Sequence, residues 1–293
     1  AYMWLNLKKH IDFKKSKFKI VFEDLKGALS YFLPFIASSI YLVLDKSILG
    51  ILGSMDEVAI YDQSQKIIRI ALTIISSISA VLMPQISNLF AKNDNDSIVQ
   101  YMKKSSKYIW TFSFGMLFGI NAISNNFVTW FYGEEYLSII NVFLISSLLF
   151  VIVGGANLVA TQYLIPIGEQ RLYTFALVIS SIVNLVLNIA LIPSIGMYGA
   201  AIASIFAELV GLLIEIYFAN RTFKVRTLFQ EIWKPILCGI LMFIVVYPLS
   251  LRFSPTIVNT TLLILLGSVI YLISIVMLKY LDLKSLLKFK LSK

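Results

Sequence analysis

LYTFALVISSIVNLVLNIALIPSIGMYGAAIASIFAELVGLLIEIYFA, residues 172–219, sets the architecture of the whole chain. It holds two apolar runs, each about the 20 residues a helix needs to cross a bilayer core, parted only by the turn-forming Pro193-Ser194-Ile195-Gly196. Two charges, Glu208 and Glu215, interrupt it. A helical hairpin buried in lipid satisfies this pattern, because there every backbone polar group must find its partner within the segment.

The same pattern recurs on either side. Further runs extend over Gly27–Gly53, Ile70–Ala91, Tyr108–Tyr132 and Leu137–Pro166, then Pro235–Leu251 and Phe253–Leu278. With Leu172–Ile192 and Tyr198–Ala219 they make eight spans, A to H. Over all 293 residues 58% are hydrophobic and 14% charged, with a mean hydropathy of +0.83, which excludes an ordinary water-soluble domain. Long continuous runs also exclude a transmembrane barrel, whose strands alternate over about 10 residues. The expected fold is an all-α polytopic helical membrane protein with eight transmembrane helices.

Charge placement tests the count. If the spans alternate, 21 of the 25 basic residues fall on one side and only Lys46, Lys66, Arg69 and Arg252 on the other, so both ends of the chain are expected in the cytoplasm. The net charge of +9 is therefore topological, and no nucleic-acid partner is implied. Trp4, Trp110, Trp130 and Trp233 stand at span borders and are expected to anchor them at the membrane interface. Lys8–Lys19 reads either as a basic interfacial segment or as a topology signal in a solvated linker.

Chemistry is sparse. Cys238 and His10 are each the only one of their kind, so disulfides, metal clusters and most histidine catalysis are excluded. The longest connection, Lys92–Lys107, carries only Asp94 and Asp96 among lysines, a poor basis for an enzyme. No metal or organic cofactor is expected.

Intramembrane polar groups remain, and an ionisable side chain there costs about 2.5–3.5 kcal/mol on insertion scales. Glu208 and Glu215 are seven apart and share a helical face with Ser204 and Gly211. They read either as a protonatable or cation-binding lining or as structural carboxyls. Span A carries Ser38, Tyr41 and Asp45; span B carries Asp62, Lys66, Arg69, Thr73 and Ser77, with both stripes expected to point inward. An ion pair between A and B is one reading, and snorkelling of Lys46, Lys66 and Arg69 to the interface the other. Arg69 would also suit a pyrophosphate. Asn121 and Asn125, Asn157 and Thr161, and Ser181, Asn184 and Asn188 form further polar sets that could bind sugar or join helices. Pro34 and Pro84 mark expected bends, and Gly154-Gly155 a close helix contact.

Two blocks resemble a known family. YLVLDKSILGILGSMDEVAIYDQSQKI from Tyr41 with VLMPQISNLFAKND from Val81, and TQYLIPIGEQRLY from Thr161 with NLVLNIALIPSIGMYGAAIASIFAEL from Asn184, are similar to lipid-linked oligosaccharide flippases of the Wzx type, the O-antigen and capsule transporters of the MOP superfamily. The resemblance implies that the chain is the C-terminal part of a two-lobed transporter, beginning past an N-terminal six-helix lobe. Residues 1–26 would be a cytoplasmic basic linker, 27–220 a six-helix C-lobe, and 221–293 two additional helices with a basic tail. It implies flipping of undecaprenyl-pyrophosphate-linked oligosaccharide across the bacterial cytoplasmic membrane, coupled to a cation, proton or sodium, alongside a polysaccharide polymerase. The expected substrate and ion pathway comprises Asp45, Arg69, Asn121, Asn184, Asn188, Glu208 and Glu215. A multidrug or cation antiporter of the same superfamily is the alternative, and a membrane-embedded glycan polymerase or glycosyltransferase a more distant one.

Overall fold

The computed structural model describes residues 43–281, and within them every regular element is helical. Helix α1 covers 43–52. Ser54 then starts α2, Met55–Ala91, with a capping box: its hydroxyl accepts from the Glu57 amide at 3.3 Å while the Glu57 carboxylate accepts from the Ser54 amide at 3.3 Å. Acidic Asp56 and Glu57 in the first turn complement the positive end of the helix dipole. This cap places the helix start 15 residues ahead of span B, so Asp62, Lys66 and Arg69 lie on α2 itself rather than in a connection.

Helix α3, Asn95–Phe131, is capped by Asp94, whose carboxylate accepts from the Ser97 amide at 3.1 Å. Span D is divided into α4, Ile139–Ser146, α5, Leu149–Ala156, and a π-helical run, Asn157–Leu164. Helix α6, Gln170–Ala219, is broken at Ile195 and Gly196, where φ and ψ of Gly196 are 54° and −133°. That conformation is open almost only to glycine. The halves, 170–194 and 197–219, fold back on each other: a Cβ added at Gly199 would lie 2.8 Å from the Leu191 carbonyl carbon, and Gly211 faces Ser180. A short 3₁₀ segment, Val225–Phe229, leads to α7, Trp233–Arg252, and α8, Ile257–Met277.

Spans B to H thus all fall on helices. Five helical segments among the described residues are long and apolar enough to cross a bilayer: Met55–Ala91, Ile139–Leu164, Gln170–Ala219, Val225–Arg252 and Ile257–Met277. The chain is a polytopic helical membrane protein. Helix α3, which holds the expected span C, is not among the five: its apolar half is interrupted by Thr111, Ser113, Asn121, Ser124, Asn125 and Asn126. Most of span A lies outside the described residues, as do Trp4, His10, the Lys8–Lys19 segment, Pro34, Ser38 and Tyr41.

Helix α3 is the axis of packing, meeting α2, α5, α7 and α8. Small residues let the helices approach, as expected of Gly154-Gly155: a Cβ at Gly155 would stand 3.1 Å from Leu212 and 3.3 Å from Trp110. Trp110 departs from the expected interfacial anchor. It is 1% exposed and donates its indole N–H to the Leu228 carbonyl at 2.7 Å, pinning the 3₁₀ segment to α3. Trp233, by contrast, is exposed. The start of α3, the 3₁₀ segment and the residues after α8 come together at one end of the bundle, bringing Lys103, Lys104, Lys107 and Lys279 into one neighbourhood.

Candidate functional site

At the other end, an apolar cluster of Ile48, Leu49, Ile192, Met197, Ala200 and Ala201 surrounds one carboxylate. Asp45 of α1 is 7% exposed. Its Oδ2 accepts from the Tyr61 hydroxyl of α2 at 3.0 Å and from the Ser204 hydroxyl of α6 at 2.5 Å. Its Oδ1 accepts from the Asn188 amide at 2.7 Å, and that same amide reaches Asn184 Oδ1 at 3.0 Å. The three donors come from three places in the chain, and the α6 hairpin supplies two of them, one from each half. Alanines and Gly199 around the turn leave room for the carboxylate between the halves.

A buried carboxylate whose hydrogen-bond donors are all neutral is costly, because those bonds must replace its lost hydration. The site leaves one acceptor and one donor unmatched. Asn188 Oδ1 is buried without a partner, as is Asn184 Nδ2, so the two amides are mismatched as they stand. A carboxylate, an amide oxygen and two hydroxyls converging from four helical segments suit a hard cation, which prefers oxygen ligands, or a proton on Asp45. Among the described residues there is no cluster of three or more His, Cys, Asp or Glu that could hold a metal ion, so a cation here would rest on a single carboxylate.

The latch over this site is Glu57. Its carboxylate accepts from the Met197 amide at 3.4 Å and lies against Gly196, so the first turn of α2 holds the turn of the hairpin. Outside the pocket, Lys46 and Lys66 both pair with Asp62, Lys66 at 2.9 Å. An ion pair between α1 and α2 is therefore present, and both lysines are engaged with a carboxylate rather than merely reaching for an interface. Arg69 lies two turns along α2 from Tyr61 and within electrostatic range of its hydroxyl.

The remaining sequence-derived candidates are dispersed. Glu208 and Glu215 follow Ser204 along the second half of α6. Glu215 is 5% exposed with Oε2 unpartnered, Glu208 is half-buried, and Tyr173 of the first half lies within electrostatic range of both. The Ser204–Gly211–Glu215 stripe thus faces the partner half of the hairpin. Asn121 serves packing, donating to the Leu117 carbonyl and to the Ser147 hydroxyl, both at 2.8 Å. The inward expectation for the α2 stripe is corrected at Thr73 and Ser77: both are exposed and bond to their own helix's carbonyls. Asn157 joins Ser76 at 3.0 Å. Sequence reasoning missed Tyr61 and Gln162; the latter bonds Ser79 of α2 and Ser105 of α3 from the π-helical run.

Known proteins share this arrangement of helices. The solved structure of a lipid II flippase MurJ in an inward closed conformation superposes with a TM-score of 0.74 at 21% identity, covering 93% of this chain and 58% of that one; the likeness establishes the fold. A protein of Haloferax volcanii described as "Probable low-salt glycan biosynthesis flippase Agl15" is 23% identical over 221 residues, 72% of this chain and 45% of the relative. The chain thus spans about half the length of the proteins it matches. The model of the family described as lipid II flippase MurJ matches residues 1–289, and with that match over nearly every residue the chain belongs to the MurJ family of flippases.

Proposed function

We propose that the chain is the cation-coupled portion of a flippase for a lipid-linked glycan. Family membership supports the transport class, and the relatives' names, lipid II flippase and glycan biosynthesis flippase, support the cargo class. The observation that carries the coupling is the buried Asp45 carboxylate with three neutral donors and an unpartnered amide oxygen beside it. A cation or proton bound there neutralises Asp45 and lets α1, α2 and both halves of α6 stay closed around it. Its departure leaves a bare anion that favours a hydrated, opened arrangement, so the ion gradient biases two conformations. Glu208 and Glu215 extend the polar track along α6, and Arg69 is the donor for a pyrophosphate. Asn121 stays with helix packing.

In this reading residues 27–220 are a six-helix lobe, 1–26 its basic linker, and 221–293 two added helices and a tail. The 21-to-4 division of basic residues supports a bacterial cytoplasmic membrane protein with both ends of the segment inside. The cargo is an undecaprenyl-pyrophosphate-linked oligosaccharide bound for surface polysaccharide, delivered to a polymerase.

Expression in cells lacking their oligosaccharide flippase tests the cargo: restored surface polysaccharide is expected. Rescue of cells depleted of their lipid II flippase, without surface polysaccharide, would move the cargo to lipid II. Drug resistance with neither rescue would point to the antiporter class. For the coupling, flipping in vesicles should respond to an imposed sodium or proton gradient, and indifference to both would remove it.

A further inference from the structure

The lysine-rich end of the bundle is shaped as a site of its own. Lys103, Lys107 and Lys279, with Lys104, Thr227 and Gln230, line a basin of about 530 Å³ bounded by α3, the 3₁₀ segment and the residues after α8. Among the described residues that line it the one carboxylate, Glu231, is shared between Lys107 at 3.3 Å and Lys234 at 2.7 Å, so this lining is net cationic. Tyr280 forms part of the wall. It is 1% exposed, its hydroxyl is buried without a partner, and its ring lies 5.4 Å from Lys107 Nζ. Burial first, and the Glu231 charge second, push its phenol well above the ordinary tyrosine range, so the hydroxyl stays a donor.

A second hollow continues from the first. A groove of about 680 Å³ runs between α2 and α3, walled by Ile74, Ile78, Val81, Leu82, Tyr101 and Phe112. Lys104 and Tyr108 belong to both hollows. A cationic basin joined to an apolar channel has the two-part chemistry of a lipid that carries a phosphate and a hydrocarbon chain.

We propose that basin and groove form one binding site for an anionic phospholipid, its phosphate among Lys103, Lys107 and Lys279 with the Tyr280 hydroxyl donating to it, and one acyl chain along the α2–α3 groove. The charge complementarity of the basin selects an anionic head over a zwitterionic one, and the continuity of the two hollows selects a lipid over a free anion. The site is separate from Asp45 and does not depend on what the protein transports.

The test is lipid retention. Purified protein is equilibrated in nanodiscs of phosphatidylcholine containing a minority of phosphatidylglycerol, released into detergent, and weighed by native mass spectrometry. Selective retention of phosphatidylglycerol is expected. Lys103→Gln and Lys279→Gln should each weaken it about fivefold, the equivalent of about 1 kcal/mol per lysine near a charged surface. Tyr280→Phe should weaken it less, and Val81→Trp, which fills the groove, should lower retention of the lipid without lowering affinity for inorganic phosphate. Equal retention of both lipids, an equal loss in the exposed Lys92→Gln variant outside the basin, or an unchanged complex in Val81→Trp would each overturn the proposal. Displacement of the lipid by inorganic phosphate at low millimolar concentration would reassign the basin to a free anion. Thermal melting of each variant separates lost binding from lost fold.

Discussion

Two buried polar clusters in this bundle have similar burial and opposite character. Along the seam of α3 with α7 and α8, Asn126 donates to the Phe253 carbonyl at 3.1 Å and accepts from the Thr260 hydroxyl at 2.5 Å, while the Tyr271 hydroxyl donates to the Thr111 carbonyl at 2.8 Å. Each of these bonds joins neutral groups, and both amide atoms of Asn126 are used. Around Asp45 a charge is enclosed, and an amide oxygen and an amide nitrogen are left over. A matched neutral network holds helices in one arrangement. A charged, mismatched one leaves groups still to be paired, which is why we propose the Asp45 cluster, and not the seam, as the place for a changing occupant.

The contrast can be broken most directly at Asp45. Asp45→Asn keeps the shape but removes the charge, and we expect ion-driven flipping to be abolished while the melting temperature is unchanged or higher, since a buried charge is lost. A large fall in stability with flipping preserved would make Asp45 mere packing, like Asn126.

Gly196→Ala comes next. With φ at +54° and ψ at −133°, alanine there costs about 1–3 kcal/mol, and its Cβ also displaces the Glu57 carboxylate. Both stability and flipping should fall, because the hairpin turn positions Asn188 and Ser204; thermal melting alongside a flipping assay checks this.

At the neutral seam, Thr260→Val leaves Asn126 Oδ1 buried without its donor. A loss of about 0.6 kcal/mol, with a ceiling of about 1.7, is expected, readable as a modest drop in melting temperature with flipping intact. Lost flipping at full stability would erase the distinction between the clusters.

The smallest effect belongs to Asp94, outside the membrane. The Ser97 hydroxyl first, and the Ser97 amide second, hold its carboxyl below the usual carboxylate range. A group depressed in the folded state stabilises above its unfolded pKa and loses that contribution as pH falls through the folded one. Melting of Asp94→Ala should therefore lie slightly below the parent at neutral pH and converge with it in strong acid. A gap that persists in acid would show that the cap does not act through its charge.

Much of this was legible in the chain. Apolar runs about 20 residues long have few alternatives, so the helices of spans B to H could be read directly, although that of span C is not among those apolar enough to cross a bilayer, and Pro193-Ser194-Ile195-Gly196 announced the hairpin because only glycine tolerates the turn. Asp45, Asn184 and Asn188 stood out for being polar where polarity is costly. What stayed hidden was adjacency. Tyr61 and Ser204 complete the Asp45 shell from 16 and 159 residues away, and helical periodicity says which residues share a face without saying which face it meets. The breaks within span D were hidden for a different reason: Ser147 and Asn157 keep right-handed helical angles, no glycine or proline stands at Ser147, and Gly154-Gly155 ahead of Asn157 read as a close helix contact rather than a break. Trp110 misled because an aromatic near a basic border is as well suited to reach a neighbour's carbonyl as to meet lipid.

Those unmarked breaks end in the π-helical run Asn157–Leu164, where each turn holds one residue more than an α turn. Such a run is stored chain length. Giving up the extra residue would advance the downstream helix by about 1.5 Å and swing it about 100°, carrying Gln162 off both Ser79 and Ser105. Gln162 is thus the point at which the run is fastened to α2 and α3 at once, so its spare length is held by two neighbours rather than by its own helix alone.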